Sequence, residues 1–127
     1  LRGRKECAGK VGSVGYCLGG KLAYLMATRS NADANVGYYG VGIEKALNEA
    51  AAITRPLMLH IAGKDQFCPP EAQDQIKTAL SRNSHVSLHG YPDCDHAFAR
   101  VGGAHYDESA ATLANRRTAE FFRKHLA

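Results

Sequence analysis

The chain has 127 residues, of which 45% are hydrophobic and 22% charged, and its formal net charge is +4. That length suits one domain, 1–127, and the composition suits a soluble globular fold; disorder would need low hydrophobicity and high net charge. No apolar run approaches the roughly 18–20 residues of a membrane span, and no basic stretch followed by an apolar one marks a signal peptide.

The first residue is Leu1 rather than Met, so the natural start is expected upstream. The positive charge is spread out, with Arg2, Arg4, Lys5 and Lys10 near one end and Arg116, Arg117, Arg123 and Lys124 near the other. A nucleic-acid footprint concentrates its basic residues on one face. No nucleic-acid partner is therefore expected, while a small anionic ligand fits the charge. Cys7, Cys17, Cys68 and Cys94 form no CxxC pair, so zinc-type spacing is absent and no metal is expected. With no signal peptide in view, the thiols are expected to be reduced and the compartment cytoplasmic.

In chain order, Val11 to Tyr16 reads as a short apolar strand. Leu18, Leu22, Leu25 and Met26 then recur at helical spacing and predict a helix buried along that face. The chain must turn sharply between them, at Cys17. Asn35 to Tyr39 predicts a second strand, closed by Gly40 and Gly42. Leu57 to Ala62, between Pro56 and Gly63, suits a buried parallel strand. A helix follows Pro69 and Pro70, with Ala72, Ile76, Ala79 and Leu80 on its inner face. His85 to Tyr91 alternates Val86 and Leu88 with polar residues and predicts a strand. Asp107 is the expected N-cap of a last helix whose face is Ala110, Leu113, Ala114, Phe121 and Phe122. Alternating strands and helices predict an α/β fold with about four mostly parallel strands. One edge of so small a sheet is expected to be unpaired.

Gly15-Tyr16-Cys17-Leu18-Gly19 places a nucleophile between two glycines. In a strained strand-to-helix turn, small residues two before and two after the nucleophile let the backbones pass. Such a turn lifts the thiol above the sheet at a helix N-terminus, where the dipole favours a thiolate. The N–H of Leu18 is then a candidate oxyanion donor. The bland alternative is a glycine-rich turn around a buried cysteine. Asp65 follows the third strand and His96 follows the fourth, in the order nucleophile, acid, histidine. Both stand past C-terminal strand ends, where open α/β sheets bind ligands. His96 is a candidate base for Cys17, with Asp65 as its orienting acid.

Asp93 and Asp95 compete with Asp65 for the imidazole, though both sit in a turn-rich stretch. Cys94 and His96 make half a metal site with no second half. His60, inside an apolar strand, is expected to be a satisfied core histidine, and His85 and His89 sit on a strand and do not make a zinc pair. His105 and His125 are expected at the surface. Tyr38 or Tyr39 is a candidate pocket residue, against simple core packing. Arg100, four residues after His96, is a candidate ligand for a substrate carboxylate, against a plain surface arginine.

Val14-Gly15-Tyr16-Cys17-Leu18-Gly19-Gly20, Val36-Gly37-Tyr38-Tyr39-Gly40-Val41-Gly42, Gly63-Lys64-Asp65 and His96-Ala97-Phe98-Ala99-Arg100 together resemble the dienelactone hydrolase (carboxymethylenebutenolidase) family. The resemblance runs from about Gly9 to Phe122. It implies an α/β-hydrolase fold and a triad of Cys17 as nucleophile, His96 as base then acid, and Asp65 as orienter. It also implies Arg100 as a substrate-carboxylate ligand; of the tyrosine pair, Tyr39 is the expected substrate-binding residue by its place at the strand end. The implied reaction opens dienelactone, a small carboxylated lactone, to maleylacetate, with no cofactor. The family has a small hydroxyl residue in places where this chain has Ala97.

The family's catalytic domain is nearly twice as long, and the chain matches its C-terminal half. The other half holds the first strands, a second oxyanion donor, a glutamate that activates the thiol and another carboxylate-binding arginine. A homodimer is expected to cover the bare sheet edge. The alternative is a catalytically idle fragment that self-associates or binds a ligand.

Overall fold

The structure, a computed structural model, describes residues 9–126. Leu1, the basic Arg2, Arg4 and Lys5, and Cys7 lie outside the described residues. Strands β1 (Gly12–Tyr16), β2 (Ala34–Tyr38), β3 (Leu57–Ala62) and β4 (Val86–Tyr91) alternate with helices α1 (Leu18–Arg29), α2 (Pro70–Leu80) and α3 (Glu108–Leu126). The strands form one parallel sheet in the order β1-β2-β3-β4. The expected α/β architecture holds.

A 3-10 segment, Ile43–Ala52, fills the β2–β3 connection and is kinked at Ala46. The sequence pattern gives no sign of it. Its Ala46 carbonyl accepts a hydrogen bond from the buried Tyr24 hydroxyl on α1 at 3.0 Å, a tertiary contact that no local pattern encodes.

Two apolar clusters sandwich the sheet. Leu57, Leu59 and Ile61 of β3 pack with Tyr24, Ile76 and Leu80 on one face. Met58 and Ala62 pack with Val36, Ala114 and Phe121 on the other. All six residues of β3 are buried, as a central parallel strand requires.

Helix α1 corrects the sequence expectation. Its buried residues are Gly20, Ala23, Tyr24 and Ala27, while Leu18 and Leu22 are 63% and 55% exposed and Met26 is exposed too. The reason is distance. A Cβ on Gly20 would lie 2.7 Å from the Gly40 Cα, and one on Gly37 would lie 2.8 Å from the Gly20 carbonyl oxygen. The helix sits so close to the sheet that a face of leucines does not fit between them. Among the described residues β1 pairs only with β2. Val14 and Tyr16 of that strand are exposed as well, on the other face of the sheet, in register with Val36 and Tyr38.

Helix α2 departs by one position. Ala79 is exposed and Gln73 takes its place inside, beside Ala72, Ile76 and Leu80. Proline opens this helix as expected. Asp107 caps α3, its Oδ1 accepting the Ala110 N–H at 3.0 Å.

Pairing aligns Tyr16, Tyr38, His60 and His89 across the four strands. Their rings stack in a row with centroid spacings of 4.6, 4.5 and 5.8 Å. His60 is satisfied inside the core, as expected. Its Nδ1 pairs with the Tyr91 hydroxyl at 2.8 Å and its Nε2 with the Thr118 hydroxyl of α3 at 2.9 Å.

Burial, then His89 and Arg117, push the His60 imidazole from 6.5 down to about 3. The folded chain therefore keeps His60 neutral while the unfolded chain protonates it near 6.5. Its contribution to stability is intact above that pH and is lost as pH falls towards about 3. The limiting slope is roughly 1.4 kcal/mol per pH unit. His60→Gln is expected to be less stable near neutrality but to lose less stability on acidification. Urea melts of both proteins from about pH 7 to about pH 4 check this; parallel curves would refute it.

Candidate active site

The site is assembled at the C-terminal ends of β1, β2, β3 and β4. Cys17 occupies the one-residue turn between β1 and α1 with φ 59° and ψ −120°, a left-handed φ that a side chain adopts only under constraint. The constraint is visible. The Cys17 N–H donates to the Tyr38 carbonyl at 3.1 Å, and the Cys17 carbonyl accepts the N–H groups of Gly20 and Val41 at 3.0 and 3.1 Å. The N–H of Leu18, first residue of α1, has no intrahelical acceptor and sits next to the thiol in the chain.

The loops after β3 and β4 are tied to each other. The Gly63 N–H donates to the Tyr91 carbonyl at 2.8 Å and the Lys64 N–H to the Cys94 carbonyl at 2.9 Å. A Cβ at Gly63 would meet the Pro92 backbone at 2.5 Å, so this crossing needs glycine. Gln73, which sequence reasoning passed over, holds the same loop. Its amide nitrogen reaches the carbonyls of Ala62, Gly63 and Cys68 at 3.3, 3.1 and 2.8 Å. The available signal was its spacing, three and seven residues before Ile76 and Leu80 on an apolar helix face.

This clamp brings Asp65 and His96 together. His96 Nδ1 lies 2.7 Å from Asp65 Oδ2, and His96 Nε2 lies 3.1 Å from Cys17 Sγ. Asp65 is only 2% exposed, and its other oxygen accepts the Phe67 N–H at 2.8 Å. A carboxylate only accepts, so the proton sits on Nδ1, and Nε2 is left to accept from the thiol. The competing carboxylates are placed otherwise: Asp93 is exposed, and Asp95 Oδ1 accepts the backbone N–H of His96 at 2.7 Å, while its Oδ2 lies 3.7 Å from His105 Nδ1. Cys94 is buried, with its sulfur 3.7 Å from Asp107. Among the described residues no group of three or more His, Cys, Asp or Glu is placed to hold a metal ion.

Burial pushes the Cys17 thiol up, the Asp65 charge pushes it further, and Arg100 pulls it down. Desolvation and a nearby carboxylate thus oppose the pull that a helix N-terminus exerts towards the thiolate.

Arg100 is exposed and makes no ion pair among the described residues. Tyr38 is core. The buried Tyr39 packs its ring against His96 at 5.1 Å and Phe98 at 5.5 Å. Leu18 and Phe67 stand exposed around the thiol and imidazole.

The sequence model of the dienelactone hydrolase family matches residues 1–126. The chain belongs to that family. Among its dienelactone hydrolase relatives, a protein of Azospirillum brasilense, provisionally named carboxymethylenebutenolidase, is 57% identical over 109 residues, 86% of this chain and 47% of that protein. Carboxymethylenebutenolidase 1 of Cupriavidus pinatubonensis is 48% identical over 112 residues, 88% of this chain and 47% of that protein. In fold, the chain matches a dienelactone hydrolase-like promiscuous phosphotriesterase from metagenomic libraries with a TM-score of 0.85 and 19% identity, over 100% of this chain and 57% of that one. The chain spans about half the length of the curated relatives it matches. Among the described residues no helix is long and apolar enough to cross a membrane.

Proposed function

We propose that this chain carries the nucleophile, base and orienting acid of a hydrolase that opens a small carboxylated lactone, dienelactone to maleylacetate. The observation that carries the reading is His96 bridging Cys17 Sγ and Asp65 Oδ2 at 3.1 and 2.7 Å. In this reading the thiol proton passes to His96 Nε2 as sulfur attacks the ring carbonyl. The Leu18 N–H donates to the oxyanion. Collapse breaks the ring C–O bond, His96 returns the proton to the departing oxygen, and a thioester remains. Water, deprotonated by His96, then splits the thioester to a carboxylic acid and the free thiol.

Arg100 is the proposed partner of the substrate carboxylate, because its guanidinium is exposed and acts electrostatically on Cys17. The test is hydrolysis of dienelactone by the purified chain, beside a neutral lactone of the same ring. Arg100→Gln is expected to raise KM for dienelactone roughly ten- to hundredfold, the worth of a charged hydrogen bond, and to leave the neutral lactone nearly unchanged. Equal effects on both would remove Arg100 from carboxylate recognition.

A second copy of the chain is the proposed cover for β1, whose outer side is unpaired among the described residues and adjoins exposed Val14, Tyr16, Leu18 and Leu22. A monomeric mass by light scattering at assay concentration would remove that proposal. The same apolar surface favours the second reading, an idle half-fold that binds a partner. Absence of Cys17-dependent turnover would select it.

A further inference from the structure

Phe67 is an anomaly beside the triad. It is 54% exposed, so its ring gains little from burial. Yet its ring centroid lies 4.9 Å from the His96 imidazole at an interplanar angle of 63°. Its backbone is indexed to the same group: the Phe67 N–H donates to Asp65 Oδ1, and Asp65 Oδ2 takes the imidazole Nδ1. Moving either residue moves the other. Tyr39, from the loop after β2, packs a second ring on His96 at 5.1 Å and 61°.

We propose that Phe67 is a positioning residue whose ring holds the His96 imidazole in line with Cys17. The proposal rests on the Cys17-to-His96 proton transfer described above. In that step the S–H bond breaks, the proton moves to Nε2, and a thiolate beside an imidazolium results. A tilted pair at this spacing is a favoured aromatic geometry. The charged and titratable groups facing this pair are Asp65 from the β3 loop, Tyr39 from the β2 loop and Arg100 from the β4 loop. Asp95 of the β4 loop holds the His96 N–H. Tyr39 lays the other ring on the imidazole, but Phe67 is the one whose backbone N–H is tied to the Asp65 carboxylate.

The test needs no substrate. Iodoacetamide alkylation of Cys17 is followed by peptide mass across a pH series in the wild type, Phe67→Leu, Phe67→Tyr and His96→Ala. Cys68 and Cys94 are buried and report an intact fold by staying slow. Phe67→Leu keeps apolar bulk and loses the ring. It is expected to slow Cys17 alkylation near neutrality about fivefold and to converge with the wild type at high pH. Phe67→Tyr is expected to keep the wild-type profile.

Identical profiles for Phe67→Leu and wild type would overturn the proposal. So would an equal change at every pH, which marks a purely steric effect. If His96→Ala leaves the profile unchanged, the proton-transfer reading falls and the Phe67 proposal with it; if only Phe67→Leu is silent, the proton-transfer reading stands. Should Phe67→Leu expose Cys68 or Cys94, Phe67→Met, which also loses the ring and keeps apolar bulk, is read in its place. That variant is then expected to show the shifted profile, and a wild-type profile would overturn the proposal.

Discussion

Cys17→Ala is expected to lower dienelactone turnover by roughly four to six orders of magnitude, as loss of a catalytic nucleophile does elsewhere. Among the described residues the thiol is the one hydrogen-bond partner of His96 Nε2, at 3.1 Å. Without it, the acid and imidazole pair has nothing to activate but water held less well. The fold should not change. Alanine tolerates the φ of 59° no worse than cysteine, and the backbone bonds that pin the turn use the N–H and carbonyl of residue 17, not its side chain. Initial rates on dienelactone, with thermal melts of both proteins, check this. Equal turnover in matched, folded samples would mean that hydrolysis does not pass through this sulfur. No turnover in either would mean that the chain does not form a complete site alone.

The second large effect is on the fold. Gly15→Ala is expected to cost about 3–5 kcal/mol, a large share of the stability of an ordinary domain. A Cβ on Gly15 would fall 1.9 Å from the Gly19 carbonyl oxygen and 2.4 Å from its carbon. Both are backbone atoms in the first turn of α1, so relief requires the helix to lift from β1. Cys17 lies between the two and would lose its alignment with His96. Gly19→Ala is the internal control. A Cβ there meets nothing within 4 Å, and alanine in a helix is favoured over glycine by roughly 0.5–1 kcal/mol. Urea melts of the two variants should therefore move in opposite directions. Similar destabilisation of both would refute the account of this turn.

That contrast corrects the motif as read from the sequence. Glycines on both sides of the nucleophile look equivalent in the pentapeptide. In the structure Gly15 is constrained because Gly19's backbone occupies its side-chain space, while Gly19's own Cβ position faces open space. The tight neighbour is Gly20, against Gly40 and Tyr38.

Much of the site was legible in one dimension. The strands of five or six residues, the proline start of α2 and the Asp107 cap are local signals, because capping and periodicity act within a few residues. The order Cys17, Asp65, His96 was also legible, since each residue follows a strand and parallel strands deliver their C-terminal ends to one edge. Family membership follows from the sequence as well, through the match over residues 1–126.

The tertiary structure decided the rest. It chose Asp65 over Asp95 for the imidazole, because the backbone bonds between the β3 and β4 loops aim one carboxylate at Nδ1 and leave the other to the His96 N–H. It turned the small face of α1 inward and left Leu18 and Leu22 outside, because contact distance to the sheet overrides apolar size. It placed Gln73, Phe67 and the Tyr38–Thr118–His60 junction, each made by partners from separate elements. A sequence specifies which face a residue shares with its neighbours in the chain; which face is buried, and against what, depends on how closely distant segments approach.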